Sequence, residues 1–235
     1  MTNKKIILPK IPDYFHRELI NDKGLQGNIF RFNKELIYKV YKTDNFNLPQ
    51  LELLTEQVST YMAFPKVLVF EGDYSYEGFK GYLSDYIEGN VIYNLNGQIL
   101  IREFIKALEV FEMEVIKLSK MGIRVHDMHQ ENLILTPDNV IVGVDTDLFE
   151  VTSEFTIELL RSNMKELSET IISELVKLAQ IESSRLNDLV NECGAYGRIK
   201  PSALLKEFIN YFEQRMFRIE TVSDFKNGMR LIRKK

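Results

Sequence analysis

Val125-His126-Asp127-Met128-His129-Gln130-Glu131-Asn132, followed shortly by Asp145-Thr146-Asp147, is the stretch whose reading decides the fold. Between these polar clusters lie two apolar runs, residues 133–135 and 140–144, separated by Thr136-Pro137-Asp138-Asn139. Those four residues are a strong turn signal, so the runs read as a small buried hairpin with a polar cluster at each end. On a tight loop, Asp127 can aim an acceptor at an incoming hydroxyl, and Asn132, five residues on, can aim an amide oxygen at a cation. Magnesium takes few protein oxygens, keeps several waters and is completed by phosphates, so Asn132 with Asp145 across the hairpin suffices to hold it. The pattern is one for phosphate-transfer chemistry.

Working outward, residues 98–120 carry Phe104, Leu108, Phe111, Val115 and Leu118 at spacings of three or four, which predicts a long amphipathic helix stopped by Gly122. Further upstream the texture changes near residue 90. Residues 17–21, 28–33 and 35–42 are short runs rich in Ile, Phe, Tyr and Val, divided by Asn21-Asp22-Lys23-Gly24 and Asn33-Lys34. They predict a three-stranded antiparallel meander. Pro49 opens a helical pattern through Leu51, Leu54, Val58 and Tyr61-Met62 that ends before Pro65, and residues 67–71 and 79–87 predict two more strands. Downstream, residues 155–180, 183–192, 201–217 and 222–232 are helical in texture. The expectation is an α+β chain: strands and one helix first, then mostly helix around a hairpin.

Composition bounds the function. The chain has 235 residues, 45% of them hydrophobic, with 27% charged residues of both signs and a formal net charge of -4. Nothing in that balance points to nucleic acid, and the basic group Arg230, Arg233, Lys234 and Lys235 reads as a solvated end. Cys193 is the single cysteine, which excludes an internal disulfide and a cysteine-based zinc site and suits a reducing cytoplasm. Lys4-Lys5 before Ile6-Ile7-Leu8 has the charge of a leader but too short an apolar run, and no stretch reaches the roughly 20 apolar residues of a membrane span.

The loop and hairpin resemble the protein kinase superfamily, in which an Asp serves the acceptor hydroxyl, an Asn five residues on binds Mg²⁺, and a second Asp follows the next strand pair. Asp127, Asn132 and Asp145 fall in those places, and Ile134 falls where the family floors its adenine pocket. Leu36-Ile37-Tyr38-Lys39-Val40-Tyr41 is similar to the strand whose lysine holds the α- and β-phosphates. By that resemblance Lys39 pairs with a helix glutamate, Glu56 in preference to Glu52, one turn away. The turn from Gly24 through Gly27 to Ile29 resembles a reduced phosphate-covering loop, with two glycines in place of three. Gly81 to Gly89 looks like the last small-lobe strand entering a hinge, with Ser84 as gatekeeper and Asp85 carbonyl and Ile87 amide meeting the adenine edge. The resemblance implies a bilobal fold: a small lobe over 1–84 with a five-stranded antiparallel sheet and one helix, a hinge over 85–89, and a helical large lobe over 90–235. It implies an ATP- and Mg²⁺-dependent kinase.

Taken singly, each piece has an ordinary explanation. An Asp and an Asn in a loop are usually turn formers, a strand lysine discourages edge pairing, and two glycines make a plain hairpin. His126 and His129 are too few for a zinc site and read as loop-structuring residues. Order along the chain outweighs these readings. The chain also departs from the family. His126 replaces the arginine before the catalytic Asp, Asp147 replaces the glycine of the metal-binding triplet, and only a short segment separates Asp145 from the helix near Phe155. Asp147 supports the metal or caps a turn. His129 points toward small-molecule kinases and Glu131 toward protein kinases, so the acceptor stays open, with a slight lean to a protein Ser/Thr hydroxyl. A non-catalytic pseudokinase and an AMP transferase are the alternatives.

Overall fold

The computed structural model describes residues 4–22, 24, 26–95, 97–152, 154–177 and 181–233. Lys23 and Leu25, in the two expected turns before Ile29, and Lys234-Lys235 lie outside the described residues. In chain order the regular elements are β1 (Lys5–Leu8), β2 (Glu18–Asn21), β3 (Gly27–Arg31), β4 (Leu36–Tyr41), α1 (Leu48–Thr55), β5 (Val67–Glu71), β6 (Phe79–Asp85) and β7 (Asn90–Val91). There follow α2 (Ile101–Lys120), β8 (Ile123–Arg124), β9 (Leu133–Leu135), β10 (Ile141–Gly143), β11 (Glu150–Val151), α3 (Ile157–Ile171), α4 (Ser184–Gly194), α5 (Pro201–Glu213) and α6 (Val222–Leu231). The chain is therefore α+β, with a mixed six-stranded sheet and six α-helices among the described residues. No helix among them is long and apolar enough to cross a membrane.

The chain divides into two compact units, Met1–Ile87 with Val144–Val151, and Glu88–Gly143 with Thr152–Lys235. The division at Ile87 falls inside the segment 85–89, and the residues just after the hairpin group with the first unit.

In the first unit the sheet order is β1-β5-β6-β4-β3-β2, antiparallel except that β1 runs parallel to β5. The sequence reading of five antiparallel strands is corrected on this point. Residues 5–8, to which the sequence reading assigned no strand, are a sixth strand that lies along β5 with Lys5 opposite Leu68 and Leu8 opposite Glu71. A four-residue apolar strand has too little alternation to be distinguished from any short apolar run. The β3–β4 turn is closed by Asn33, whose Oδ1 accepts from the backbone N–H of Glu35 and Leu36 at 2.8 Å each.

Strand alternation sorts the side chains onto two faces. Leu68, Phe70, Phe79 and Tyr82 pack on one face with Leu51 of α1, while Tyr38, Val69 and Leu83 pack on the other with Phe15. Helix α1 begins at the cap Asn47, whose side chain accepts from the Gln50 N–H, and it ends at Thr55, not near Met62. Beyond it Val58 is 81% exposed, and the Ser59 hydroxyl takes the Tyr61 N–H at 2.9 Å. The last turn of α1 tightens, with Glu56 N–H on the Leu53 carbonyl and Gln57 N–H on that of Leu54, and the chain leaves the helix there.

In the second unit, Phe104, Leu108, Phe111, Val115 and Leu118 of α2 are all buried, as their spacing requires, each stabilising the fold by roughly 1.5–3 kcal/mol. The β9–β10 hairpin pairs Ile134 with Val142, and β7 adds to β9 on its free side. Of the predicted helix over 155–180, residues 178–180 lie outside the described residues; α3 ends at Ile171 and widens into one π turn, Ile172–Val176. Edge-to-face contacts of Phe225 on α6 with Phe208 and Phe212 tie α6 to α5.

Candidate functional site

Each unit carries one of the two polar clusters. In the first, Lys39 sits mid-strand in β4, in register with Ile29 of β3 and Tyr82 of β6. β6 can approach β4 this closely because position 81 is glycine: a Cβ there would lie 1.9 Å from the Lys39 carbonyl oxygen. Alternation turns Lys39 away from the Tyr38 face, and only 2% of the residue is exposed. A buried ammonium needs partners. Lys39 Nζ forms an ion pair with Asp145 Oδ1 and lies 3.0 Å from each carboxylate oxygen of Asp147.

The two carboxylates are delivered by a short 3-10 turn, Thr146–Leu148, that follows Asp145. Asp145 has left-handed backbone angles, φ 57° and ψ 47°, which aspartate tolerates better than most residues. Thr146 fixes the turn by donating from its hydroxyl to the Ala63 carbonyl at 3.2 Å. The Tyr41 hydroxyl donates to Asp147 Oδ2, and the Tyr82 hydroxyl lies 3.5 Å from Asp145 Oδ1. One cation thus faces two anions, both ringed by phenols.

Electrostatics follow from that count. Burial works against the Lys39 ammonium, but Asp147 and then Asp145 outweigh it and hold its pKa above the ordinary lysine range. Burial, and then repulsion from Asp147, push the Asp145 carboxyl up, with Lys39 opposing. Burial and the same carboxylates push the Tyr41 and Tyr82 phenols up, so both remain protonated donors. The carboxylates differ in access: the Asp145 side chain is 28% exposed and that of Asp147 2%. Asp145 is therefore the carboxylate of this cluster that a hard cation can reach.

Neither helix glutamate partners Lys39 among the described residues. Glu56, beyond the end of α1, pairs with Lys4 at 3.6 Å, and Glu52 pairs with Lys5 at 3.5 Å and accepts from the Tyr74 hydroxyl. The reason is helical geometry. Residues 52 and 56 share a side of the chain, while α1 buries Leu51, Leu54 and Thr55. The remaining first-unit residues are placed as follows. Gly27 opens β3, where a Cβ would lie 2.4 Å from the Val40 carbonyl oxygen, so it serves close strand approach, and the Gly24 carbonyl accepts from Lys42 Nζ at 2.9 Å. Asp85 ends β6 and its carboxylate pairs with Lys66 at 2.5 Å, Ile87 is half-buried just after it, and the Ser84 hydroxyl is tied to the Ala63 and Phe64 carbonyls.

In the second unit the loop is organised around Asp127, which also has a left-handed φ of 55°. Its carbonyl accepts from His129 N–H and from Asn132 Nδ2, both at 2.9 Å, so Asn132 is clamped with its amide nitrogen engaged and its oxygen on offer. His129 Nδ1 accepts from Glu131 N–H, which directs Nε2 toward Asp127 Oδ1, 3.8 Å away. The Asp127 side chain is 45% exposed and Asn132 is buried. Ile134 lies mid-strand in β9, half-buried, with Val91 and Val142 as register partners.

Two residues absent from the sequence reading hold this loop. Asn163 of α3 is fully buried, accepts from Val125 N–H at 2.8 Å and donates to the Ser119 hydroxyl and the Ile123 carbonyl. Thr170, two turns on, donates to the Met128 carbonyl. Polar residues at 163 and 170, like Ser168, stand among the buried Leu159, Met164, Leu167 and Ile171 of this helix and are the signal that identifies them, because buried polar groups take partners. Beside the loop is a cavity of about 770 Å³, lined by Asp127, His129, Glu131, Glu166 and Glu169 among others, with no lysine or arginine among the described lining residues. Burial and then Glu169 push the Glu166 carboxyl up.

Among the described residues no three His, Cys, Asp or Glu are grouped to hold a metal ion. No protein-family model matches the chain, and no curated protein matches it. The class is thus set by architecture alone: an α+β chain of two compact units, one bearing Lys39 with two aspartates and the other Asp127 with Asn132.

Proposed function

We propose that the chain is an ATP- and Mg²⁺-dependent phosphotransferase of the protein-kinase-like class, which moves the γ-phosphoryl group of ATP to a hydroxyl. The observation that carries this reading is the Lys39–Asp145 pair: a buried strand lysine meets the aspartate that follows the β9–β10 hairpin, 106 positions away. The residues suit the group they would hold. Asp145 offers a reachable carboxylate oxygen and Asn132 an amide oxygen, the hard donors magnesium takes. Bound magnesium supplies neutralisation of charge on the phosphate oxygens.

In this reading Lys39 binds phosphate oxygens as a fixed cation, and Ile134 offers an apolar surface for the base. Asp127 accepts a hydrogen bond from the acceptor hydroxyl, orients it for in-line attack on phosphorus, and takes its proton as the bond from phosphorus to the departing ADP oxygen breaks. Positioning and charge neutralisation are most of what phosphoryl transfer asks of a protein. The acidic cavity beside Asp127 favours a small acceptor bearing positive charge over the protein hydroxyl toward which the sequence leans, since it has the volume of a small-molecule site. A pseudokinase is the second reading, favoured by the way two carboxylates already satisfy Lys39.

The test is calorimetric titration with Mg–ATP together with transfer of labelled γ-phosphate to a panel of amino alcohols and to a basic Ser/Thr-rich protein. Asp127→Asn should retain nucleotide binding and lose turnover, and full turnover in that variant rejects the assignment. Binding without transfer to any acceptor favours the pseudokinase, and a product heavier by AMP identifies nucleotidyl transfer.

A further inference from the structure

Lys39 has two carboxylate partners that are not equivalent. Asp147 meets it with both oxygens at 3.0 Å, has a side chain 2% exposed, and is itself held by the Tyr41 hydroxyl. Asp145 meets it with one oxygen and keeps 28% of its side chain exposed. Glu52 of α1 and Glu56 just after it are engaged with Lys5 and Lys4. A cation gripped by two oxygens of a carboxylate that is itself anchored stays in place when a more loosely held partner turns to another ion.

We infer that Asp147 is the positioning residue for Lys39, keeping its ammonium fixed while Asp145 is free to exchange the lysine for a metal ion. This rests on the phosphotransferase reading and deepens it. The grip on the lysine comes from the turn after the hairpin, two residues from Asp145, and not from α1. Lysine position and the cation-binding carboxylate are then set by one short segment, and movement of α1 does not switch the site. Tyr41 completes the device by fixing the Asp147 rotamer from the same strand that carries Lys39.

The experiment compares Asp147→Asn, Tyr41→Phe, Glu56→Gln and Glu52→Gln with the unmodified chain by two readouts. The first is the rate of Lys39 acetylation by an activated acetyl ester, followed by peptide mass spectrometry, with Lys226 of the second unit as internal control. Asp147→Asn should raise Lys39 labelling roughly tenfold, and Tyr41→Phe by a smaller factor, with Lys226 unchanged. A merely structural weakening would raise both lysines together. The second readout is Mg–ATP affinity, which should fall roughly tenfold in Asp147→Asn and stay level in the two glutamine variants.

Equal protection of Lys39 in Asp147→Asn overturns the inference, as does a loss in Glu56→Gln or Glu52→Gln matching that in Asp147→Asn. If Asp147→Asn does not fold, Tyr41→Phe decides: selective labelling of Lys39 supports the inference and none overturns it. If the unmodified chain binds no Mg–ATP, the phosphotransferase reading falls by itself. The labelling pattern then still decides whether Asp147 anchors the lysine.

Discussion

Glu112, in the middle of α2, and Ser202, at the second position of α5, are joined by two bonds: the serine N–H and hydroxyl each donate to a different oxygen of the carboxylate, both at 2.7 Å. The residue before α5, Lys200, makes no capping bond from its side chain. A carboxylate from a neighbouring helix therefore satisfies a first-turn N–H and meets the positive end of the α5 dipole.

Glu112→Ala should lower stability by about 2–4 kcal/mol, since it strands two buried donors, and Glu112→Gln by less because an acceptor remains. Burial holds the Glu112 carboxyl above the usual range, with the Ser202 bonds opposing. A folded-state pKa raised in this way contributes stability below the ordinary glutamate value that is lost as pH rises through the folded one. Urea denaturation from pH 4 upward should therefore show the native chain losing stability relative to Glu112→Gln across that window.

Lys39→Met tests the first cluster without any ligand. Removing the cation leaves the buried Asp147 and the partly exposed Asp145 adjacent with no counter-charge, at a cost of about 3–5 kcal/mol near neutrality. One of the pair should then take up a proton, so the variant gains stability as pH falls. The native chain should lose the Lys39 contribution only in alkali, as pH rises through the elevated lysine value. Parallel melts from pH 5 to about 12 check both slopes.

The left-handed backbone at Asp145 separates charge from conformation. Asparagine tolerates that region and alanine does not, so Asp145→Ala should be less stable than Asp145→Asn by about 1 kcal/mol, although both remove the charge. Denaturant midpoints at constant slope give the difference. Nucleotide studies are then better done with the asparagine form.

Asn163→Ala removes three buried bonds at once and frees the backbone entering the Asp127 loop. It should cost about 2–3 kcal/mol and increase hydrogen exchange at the Val125 amide selectively. Unchanged protection at Val125 would show that the loop is held by other means.

Cys193 is fully buried on α4, and burial, against a weak opposing bond from Ser168, pushes its thiol up to about 11. A thiol of that kind is neither ionised nor reachable at neutral pH. Disulfide reagents should modify it only on unfolding, so its labelling rate is a reporter of global opening for the variants above.

Much of the architecture was legible because burial imposes a period. The five long apolar residues of α2, the strands through Ile29 and Lys39, and the hairpin around Ile134 all follow from spacing and turn chemistry. What was not legible depends on contacts distant in sequence. Pairing of Lys5–Leu8 with Val67–Glu71 leaves no local mark, and Lys39 finds Asp147 over 108 positions. Glu56 lies at the expected distance along the chain, but α1 ends one residue before it and its carboxylate pairs with Lys4. Asp147 was visible only as a carboxylate in place of a glycine, with nothing nearby to say what it grips.

The parallel strand at the start of the sheet has one last consequence. Residues 5–8 cover one flank of β5, with Leu68 N–H bonded to the Lys4 carbonyl and Gly72 N–H to that of Leu8. Stripped of that cover, Val67–Glu71 would present an open row of amides and carbonyls beside apolar side chains, the template on which two chains zip together. A shortened protein would then be lost to self-association before any defect in its chemistry could be measured.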